Sequence, residues 1–194
     1  MGNKLVCLVG MPGSGKSEVG DFFVQQGYQY IRFGQITLDE VKRRGLAPTE
    51  ANERPIREAF RQKYGMAAFA ILNLAKFDAG LIRGNVIGDG LYGWSEYKVL
   101  KEKYGKDLVI VAVYASPQTR YARLEERASR HGQDEKMKYR SFPRVEAESR
   151  DQAEIENLEK GGPIAMADYT IINEGSLGEL SKEVKKIYKK INAA

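Results

Sequence analysis

A glycine-rich segment near the amino terminus carries the clearest chemical signal in this sequence. It runs from Gly10 to Ser17 as GMPGSGKS, which matches the pattern glycine, four residues, glycine, lysine, then serine or threonine. Glycines let such a loop turn its N–H groups inward, and the start of a following helix adds more N–H groups and a positive dipole end. We therefore predict a cradle for nucleotide phosphates. The residues predicted to bind the nucleotide are Gly10, Gly13, Ser14, Gly15, Lys16, Ser17 and Glu18.

The same motif predicts phosphoryl transfer. Lys16 is placed to reach the β- and γ-phosphates of a triphosphate, and the Ser17 hydroxyl is placed to bind Mg²⁺. Asp89 follows a short apolar run and is the candidate second holder of the metal, directly or through water. The alternative for Asp89 and Gly90 is a simple turn that closes a strand. We predict Lys16 and Asp89 as catalytic residues, and Ser17 and Asp89 as the metal ligands.

A run of arginines follows Ser116 and Pro117, which are typical of a helix start. Their spacing of three, four and three places them on one side of the helix, facing phosphate or water. We predict that Arg123 and Arg127 are catalytic contacts to the transferring phosphate. Further candidate contacts from a lid are Arg120, Arg130, Arg144 and Arg150. The alternative for any one of them is a solvent-exposed ion pair.

Short apolar runs alternate with helical patterns along the chain, which predicts a doubly wound α/β sheet with parallel strands. The predicted strands are 4–9, 28–33, 85–89, 108–114 and 169–172. The predicted helices are 16–26, 38–44, 50–64, 66–79, 96–104, 117–130, 145–160 and 177–191. Two intervals, 34–84 and 129–162, are longer than a simple crossover requires, and such excursions commonly form pockets and lids in enzymes.

Composition predicts one globular domain over residues 1–194. Hydrophobic residues make up 42% and charged residues 29%, which argues against a disordered, collagen-like or membrane protein. The net charge of +5 is weak for a nucleic-acid binder of this size. A single cysteine, Cys7, and the lack of a signal-peptide pattern lead us to expect a cytoplasmic protein, either monomer or homodimer.

The order of four segments resembles the nucleoside monophosphate kinase group, in particular adenylate kinase-like and dephospho-CoA kinase-like small P-loop proteins. The segments are the loop at 10–17, Asp89-Gly90, the arginine-rich helix after Ser116, and the stretch Tyr169 to Gly175. The resemblance implies a three-layer P-loop NTPase fold with a five-stranded parallel sheet in the order 2-3-1-4-5. It also implies an acceptor-binding helical insert at about 34–84, a lid near 129–162, and ATP as the donor.

The resemblance further implies that Asn173 and Gly175 lie near the adenine, with a plain strand-to-helix turn as the alternative. Two departures concern the acceptor. Leu38 stands where adenylate kinases carry an arginine, and Leu91-Tyr92-Gly93 replaces a segment that ends in another phosphate-binding arginine. An ordinary AMP acceptor is therefore not expected.

A second set of arginines offers a substitute acceptor site. Arg54, Arg57 and Arg61 recur at helical spacing, and we predict that they bind an acceptor phosphate. The alternative is a basic outer face balanced by neighbouring glutamates. The expected function is transfer of the ATP γ-phosphoryl group to a small phosphorylated acceptor, with a nucleoside or deoxynucleoside monophosphate as first choice. The alternatives are a dephospho-CoA kinase-like enzyme and a nucleotide-switched ATPase that binds RNA or protein.

Overall fold

A five-stranded parallel sheet forms the centre of the computed structural model, which describes residues 2–126 and 143–193. Its spatial order is β2-β3-β1-β4-β5, as the family resemblance implies. The strands are β1 Leu5–Val9, β2 Gln29–Arg32, β3 Val86–Asp89, β4 Leu108–Tyr114 and β5 Tyr169–Ile172. All neighbouring strands pair in parallel, so their carboxyl ends share one edge of the sheet.

Helices connect the strands, mostly at the predicted positions. Those described are α1 Lys16–Gln25, α2 Gln35–Arg43, α3 Glu50–Tyr64, α4 Ala68–Arg83, α5 Trp94–Tyr104, α6 Pro117–Glu125, α7 Arg144–Leu158, α8 Gly161–Ala165 and α9 Leu177–Ala193, with a 3-10 turn at Gly105–Asp107. The prediction placed the start of α2 three residues too late and ended α4 too early. It also missed α8, because two glycines and a proline in five residues give no helical signal.

Both faces of the sheet are covered, which explains the unbroken apolar sequence of β1. Leu5, Cys7 and Val9 face a core built with α4 and α5. Val6 and Leu8 face the other core, built with α1 and α9. This alternation decides which side of the sheet each functional residue occupies, because successive side chains of a strand point to opposite faces.

The two long excursions contain the elements that border the site. The first holds α2, α3 and α4, and the second includes α7 and α8. Residues 127–142, which include the first part of the predicted lid, lie outside the described residues. Within residues 2–126 and 143–193, no single helix is long and apolar enough to span a membrane. Helices α3 and α4 together reach that length and apolarity, but the chain bends by 84° between them.

Candidate functional site

The phosphate loop adopts a backbone that only glycine accommodates at two of its positions. Gly13 has a φ of 81° and Gly15 a φ of 100°, both in the left-handed region. A side chain at Gly13 would place its Cβ 2.6 Å from the carbonyl oxygen of Arg120, and one at Gly15 would collide with the side-chain amide of Asn173. The glycines therefore allow both the curl of the loop and the close approach of two neighbours.

Side chains from elsewhere in the chain donate to the carbonyl oxygens of this loop. Arg120 donates to the Pro12 carbonyl at 3.2 Å, and Asn173 donates to the Ser14 carbonyl at 2.8 Å. Lys16 reaches back to the carbonyls of Gly10 at 2.8 Å and Met11 at 3.1 Å. The carbonyl groups of the loop point toward these donors. This leaves the loop able to direct its N–H groups toward an anion.

The loop fits the phosphates of a nucleotide. Helix α1 begins at Lys16 after Gly15, and Gly15 supplies no side-chain cap to the first turn. Such a helix start binds anions through its N–H groups and its dipole. Within the described part of the chain, the Ser14 hydroxyl is buried and has no hydrogen-bond partner, so it too is available to a ligand. Ser17 lies in the first turn, where the motif places a Mg²⁺ ligand.

Asp89 ends β3 and lies on the α1 side of the sheet. Its strand neighbour Ile87, two residues earlier, belongs to the α1 and α9 core. The side chain is 8% exposed, and the hydroxyl of Tyr30 donates to its Oδ2 at 2.5 Å. Burial, followed by the charge of Asp89, raises the pKa of Tyr30 well above its usual value, so Tyr30 stays protonated and donates.

The arginine helix is tied to the end of β5. Arg123 donates to the carbonyl of Asn173 at 2.9 Å. Glu174 accepts from the Thr119 hydroxyl at 2.6 Å and from the backbone N–H of Ser116, and these bonds lower its pKa. Asn173 contacts both Arg123 and the phosphate loop, so Arg123 lies beside the loop. Arg127, its predicted companion, lies outside the described residues.

Arg120 corrects one prediction. The spacing placed it on a side facing phosphate or water, but its side chain is only 5% exposed. It makes a two-point ion pair with Asp151 of α7, at 3.0 and 2.6 Å, and Tyr121 donates to the same carboxylate at 3.0 Å. A buried guanidinium requires such a partner. Arg120 thus joins α6 and α7 to the Pro12 carbonyl of the loop.

Asn173 also differs from its expected role. Its side chain is 5% exposed, and its amide is bonded to the phosphate loop. Its backbone N–H donates to the Tyr114 carbonyl at 2.7 Å, which continues the pairing of β4 with β5. The exposed Gly175 follows two residues later. A contact of this segment with adenine would therefore fall to the backbone and to Gly175.

The structure separates the three arginines of α3. Arg54 is exposed and pairs with Glu58 at 2.8 Å, as the alternative interpretation has it. Arg57 pairs with Glu50 at 2.5 Å and with Glu53 at 3.4 Å, which the alternative interpretation also expects. Arg61 is different: its guanidinium lies 5.1 Å from the centre of the Phe69 ring. Within residues 2–126 and 143–193, its buried Nε has no hydrogen-bond partner.

A group of charged side chains surrounds Tyr92, near the insert formed by α2, α3 and α4. Burial lowers the pKa of Arg61, whose charge faces Glu96 and Tyr92. Lys160 is buried, pairs with Glu154 and lies 5.7 Å above the Tyr92 ring. The pKa of Glu154 is lowered by the charges of Lys160 and then of Lys16, despite burial. Glu154, paired with Lys160, is therefore also within the influence of the Lys16 charge.

Sequence reasoning missed Tyr30, Glu96, Asp151 and Lys160. Tyr30 is on an edge strand, and the other three lie in charged stretches that are typical of solvated helices. Burial of a charged residue depends on partners distant in the chain, which a local pattern does not reveal.

Comparison with known proteins places the chain in a family. A family model described as an AAA domain matches residues 6–164. A UPF0200 protein of Thermococcus kodakarensis is 35% identical over 190 residues, covering 96% of this chain and 97% of the relative. A UPF0200 protein of Hyperthermus butylicus is also 35% identical, covering 97% and 96%. The chain belongs to the AAA domain family and, within it, to the UPF0200 proteins.

The chain has a P-loop NTPase fold. Its structure is similar to that of shikimate kinase from Bacteroides thetaiotaomicron, with a TM-score of 0.59, 14% identity, and coverage of 97% of this chain and 98% of the kinase. The fold agrees with the resemblance to the nucleoside monophosphate kinase group. At this level of identity the likeness concerns the fold and leaves the acceptor open.

The Arg120 and Asp151 pair predicts a large stability effect. Asp151→Asn leaves a buried guanidinium without its carboxylate, so we expect a loss of about 3 kcal/mol in the free energy of unfolding. Urea denaturation measures this loss. The matched control is Glu148→Gln on the same helix, whose partner Arg144 is exposed, and we expect a change below about 1 kcal/mol. Equal losses in the two variants would contradict the assignment.

Glu96 predicts a pH dependence of stability. Burial raises the pKa of its carboxyl from 4.5 to about 7, although the Tyr92 N–H donates to it at 2.9 Å. Between these values the folded protein holds a proton that the unfolded chain has lost. Stability therefore falls as pH rises from about 4.5 to 7, with a slope approaching about 1.4 kcal/mol per pH unit, and this contribution levels off above pH 7.

Glu96→Gln should remove that slope. The free energy of unfolding of the variant should therefore rise relative to that of the wild type up to pH 7 and stay higher above pH 7. Glu102→Gln, an exposed change on the same helix, is the control and should follow the wild type at every pH. Urea denaturation from pH 5 to pH 8 measures the three curves. Parallel curves for wild type and Glu96→Gln would show that the carboxyl is not buried as described.

Proposed function

We propose that this protein is an ATP-dependent phosphotransferase that moves the γ-phosphoryl group to a small phosphorylated acceptor, with a nucleoside or deoxynucleoside monophosphate as first choice. The observation that carries the proposal is the phosphate loop itself. Its glycines have left-handed backbones, its carbonyls accept from Arg120 and Asn173, and it leads into a helix without a side-chain cap.

The roles of the loop residues follow from phosphoryl-transfer chemistry, in which positioning and electrostatic stabilisation do most of the work. Lys16 binds the β- and γ-phosphates and offsets the charge that develops on them. Ser17 and Asp89 hold Mg²⁺, which when bound neutralises phosphate charge and fixes the phosphate geometry. Arg123, beside the loop through Asn173, and Arg127 are the proposed contacts to the transferring group.

The acceptor is proposed to bind on the insert side, near Tyr92. Arg61 supports this position, because its half-buried guanidinium has an Nε with no partner in the described part of the chain. An anionic group on the acceptor would supply the missing hydrogen-bond acceptor, and charge-assisted bonds of this kind are among the stronger ones. Arg57 lies one turn earlier and is a second contact, whereas exposed Arg54 is not assigned to the site.

The names of similar structures support a kinase. One is a shikimate kinase, as described above, and another is a gluconokinase from Sinorhizobium meliloti, with a TM-score of 0.50, 18% identity and coverage of 97% of both chains. These names describe those proteins, and their acceptors are not transferred to this chain. They support a small-molecule acceptor over a macromolecular one.

The test of this function is ADP release from Mg²⁺-ATP across ribo- and deoxynucleoside monophosphates and dephospho-CoA. We expect acceptor-dependent turnover. It should fall by on the order of 100-fold or more in Lys16→Ala, because that change removes the cation that offsets the charge developing on the phosphates. Lys101→Ala, an exposed change on α5, is the control and should retain full activity.

The pattern of turnover in this panel separates the alternatives. Turnover with dephospho-CoA alone would replace the nucleotide acceptor by that of the dephospho-CoA kinase-like enzyme. Slow hydrolysis that no acceptor accelerates would contradict the phosphotransferase and favour the nucleotide-switched ATPase.

Arg61 predicts a separable effect on the acceptor. Arg61→Ala should raise the acceptor KM by about 10- to 100-fold, the range expected for a hydrogen bond to a charged group, and leave ATP binding unchanged. Steady-state kinetics with the acceptor found in the panel measures KM, and calorimetry measures ATP affinity. Arg54→Ala on the same helix is the matched control and should behave like wild type. An unchanged acceptor KM in Arg61→Ala would remove Arg61 from the site.

A further inference from the structure

A tyrosine outside every motif contacts the carboxylate assigned to the metal. Tyr30 lies on the edge strand β2, and its hydroxyl donates to Oδ2 of Asp89 at 2.5 Å. No phosphate-binding pattern includes this position, and Tyr30 is the most exposed residue of β2. The contact nevertheless joins the edge of the sheet to the centre of the proposed site.

The register of the sheet explains how Tyr30 reaches Asp89. In the parallel pair of β2 and β3, Tyr30 lies opposite Ile87 and Arg32 lies opposite Asp89. Asp89 is therefore two residues further along the neighbouring strand and on the same face, a diagonal distance that an aromatic side chain spans. A small side chain at position 30 would not reach the carboxylate.

The ring of Tyr30 is supported from the helix side. A Cβ placed on Gly20 of α1 would lie 3.4 Å from one ring carbon of Tyr30 and 4.0 Å from another. The ring thus lies along the backbone of α1, the same helix that presents Ser17 in its first turn. Contact with a helix backbone holds the hydroxyl in place, because a tyrosine has only two side-chain torsions to fix.

A hydrogen bond at one oxygen restricts the rotation of a carboxylate. With Oδ2 of Asp89 accepting from Tyr30, Oδ1 is the oxygen left to face a hard cation or its bound water. Partners that orient a ligating carboxylate commonly change metal affinity by 10- to 100-fold. Asp89 is 8% exposed, so bulk water contributes little to its orientation.

We propose that Tyr30 is a positioning residue that orients the Asp89 carboxylate for Mg²⁺ in the nucleotide complex. This inference rests on the proposed function, which assigns the metal to Ser17 and Asp89. Tyr30 acts only through Asp89. Loss of its hydroxyl should therefore weaken nucleotide binding in the presence of Mg²⁺ and leave nucleotide binding without Mg²⁺ unchanged.

The test compares ADP affinity with and without Mg²⁺ by calorimetry. In wild type we expect Mg²⁺ to tighten ADP binding, and in Tyr30→Phe we expect about a tenfold smaller Mg²⁺ effect with unchanged affinity in EDTA. The matched control is Tyr28→Phe, whose hydroxyl donates to Asn192 at 3.3 Å, far from the site along the same segment of chain. It should bind like wild type under both conditions.

A double variant tests whether Tyr30 acts through Asp89. Asp89→Asn should lose most of the Mg²⁺ effect, and Tyr30→Phe combined with Asp89→Asn should be no weaker than Asp89→Asn alone, since both changes remove one interaction. Additive losses would overturn the positioning role. A Mg²⁺ effect in Tyr30→Phe equal to that of wild type, with the effect lost in Asp89→Asn, would also overturn it and leave the proposed function standing.

Failure of the proposed function gives a different result. If wild type binds ADP with no Mg²⁺ effect, or binds no ADP, then Asp89 has no metal role. That outcome overturns the metal assignment and this inference together.

Discussion

The pairing of the phosphate-loop carbonyls is the constraint on which the rest of the site depends. A loop that turns its amides toward an anion must turn carbonyls toward other donors, since buried carbonyls without donors are costly. Arg120 and Asn173 supply two of those donors. Arg120 is itself buried and requires Asp151, which fixes α7 against α6, while Asn173 fixes the loop to the end of β5. The geometry of one short loop thus explains the placement of residues from three distant elements, α6, α7 and the end of β5.

The structure holds a second electrostatic arrangement on the side of the helical insert. Around Tyr92 the structure gathers Arg61, Glu96, Lys160 and Glu154, and the pKa shifts of Glu96 and Arg61 reflect their removal from water. Glu154 is influenced by the charges of both Lys160 and Lys16. Charges on the insert, on α5 and on α7 therefore act on a region next to the loop. Arg61, whose Nε has no hydrogen-bond partner within the described residues, is the cation of this group on which the proposed acceptor site depends.

The parts of this structure that were predictable are those with strong local signals. Leu108–Tyr114 has its predicted bounds because an unbroken β-branched run is buried on both faces, and the loop was located by its spacing. The sheet order came from the family resemblance. Arg120 was misassigned because its partner Asp151 is 31 residues away. Helical spacing predicts the same role for Arg54, Arg57 and Arg61. Arg61 differs from the other two because it packs over the ring of Phe69 on the next helix. Tyr30 had no signal, since its partner lies on another strand.

The central claim is that the loop binds the phosphates of a nucleotide, and comparing ADP with adenosine by calorimetry tests it most directly. The account predicts that ADP binds to the wild type and that adenosine binds at least tenfold more weakly, because the loop amides, Lys16 and the start of α1 recognise phosphate groups. Equal affinity for the two ligands would contradict the account, since the binding energy would then come from the base and sugar and the loop would have no ligand role.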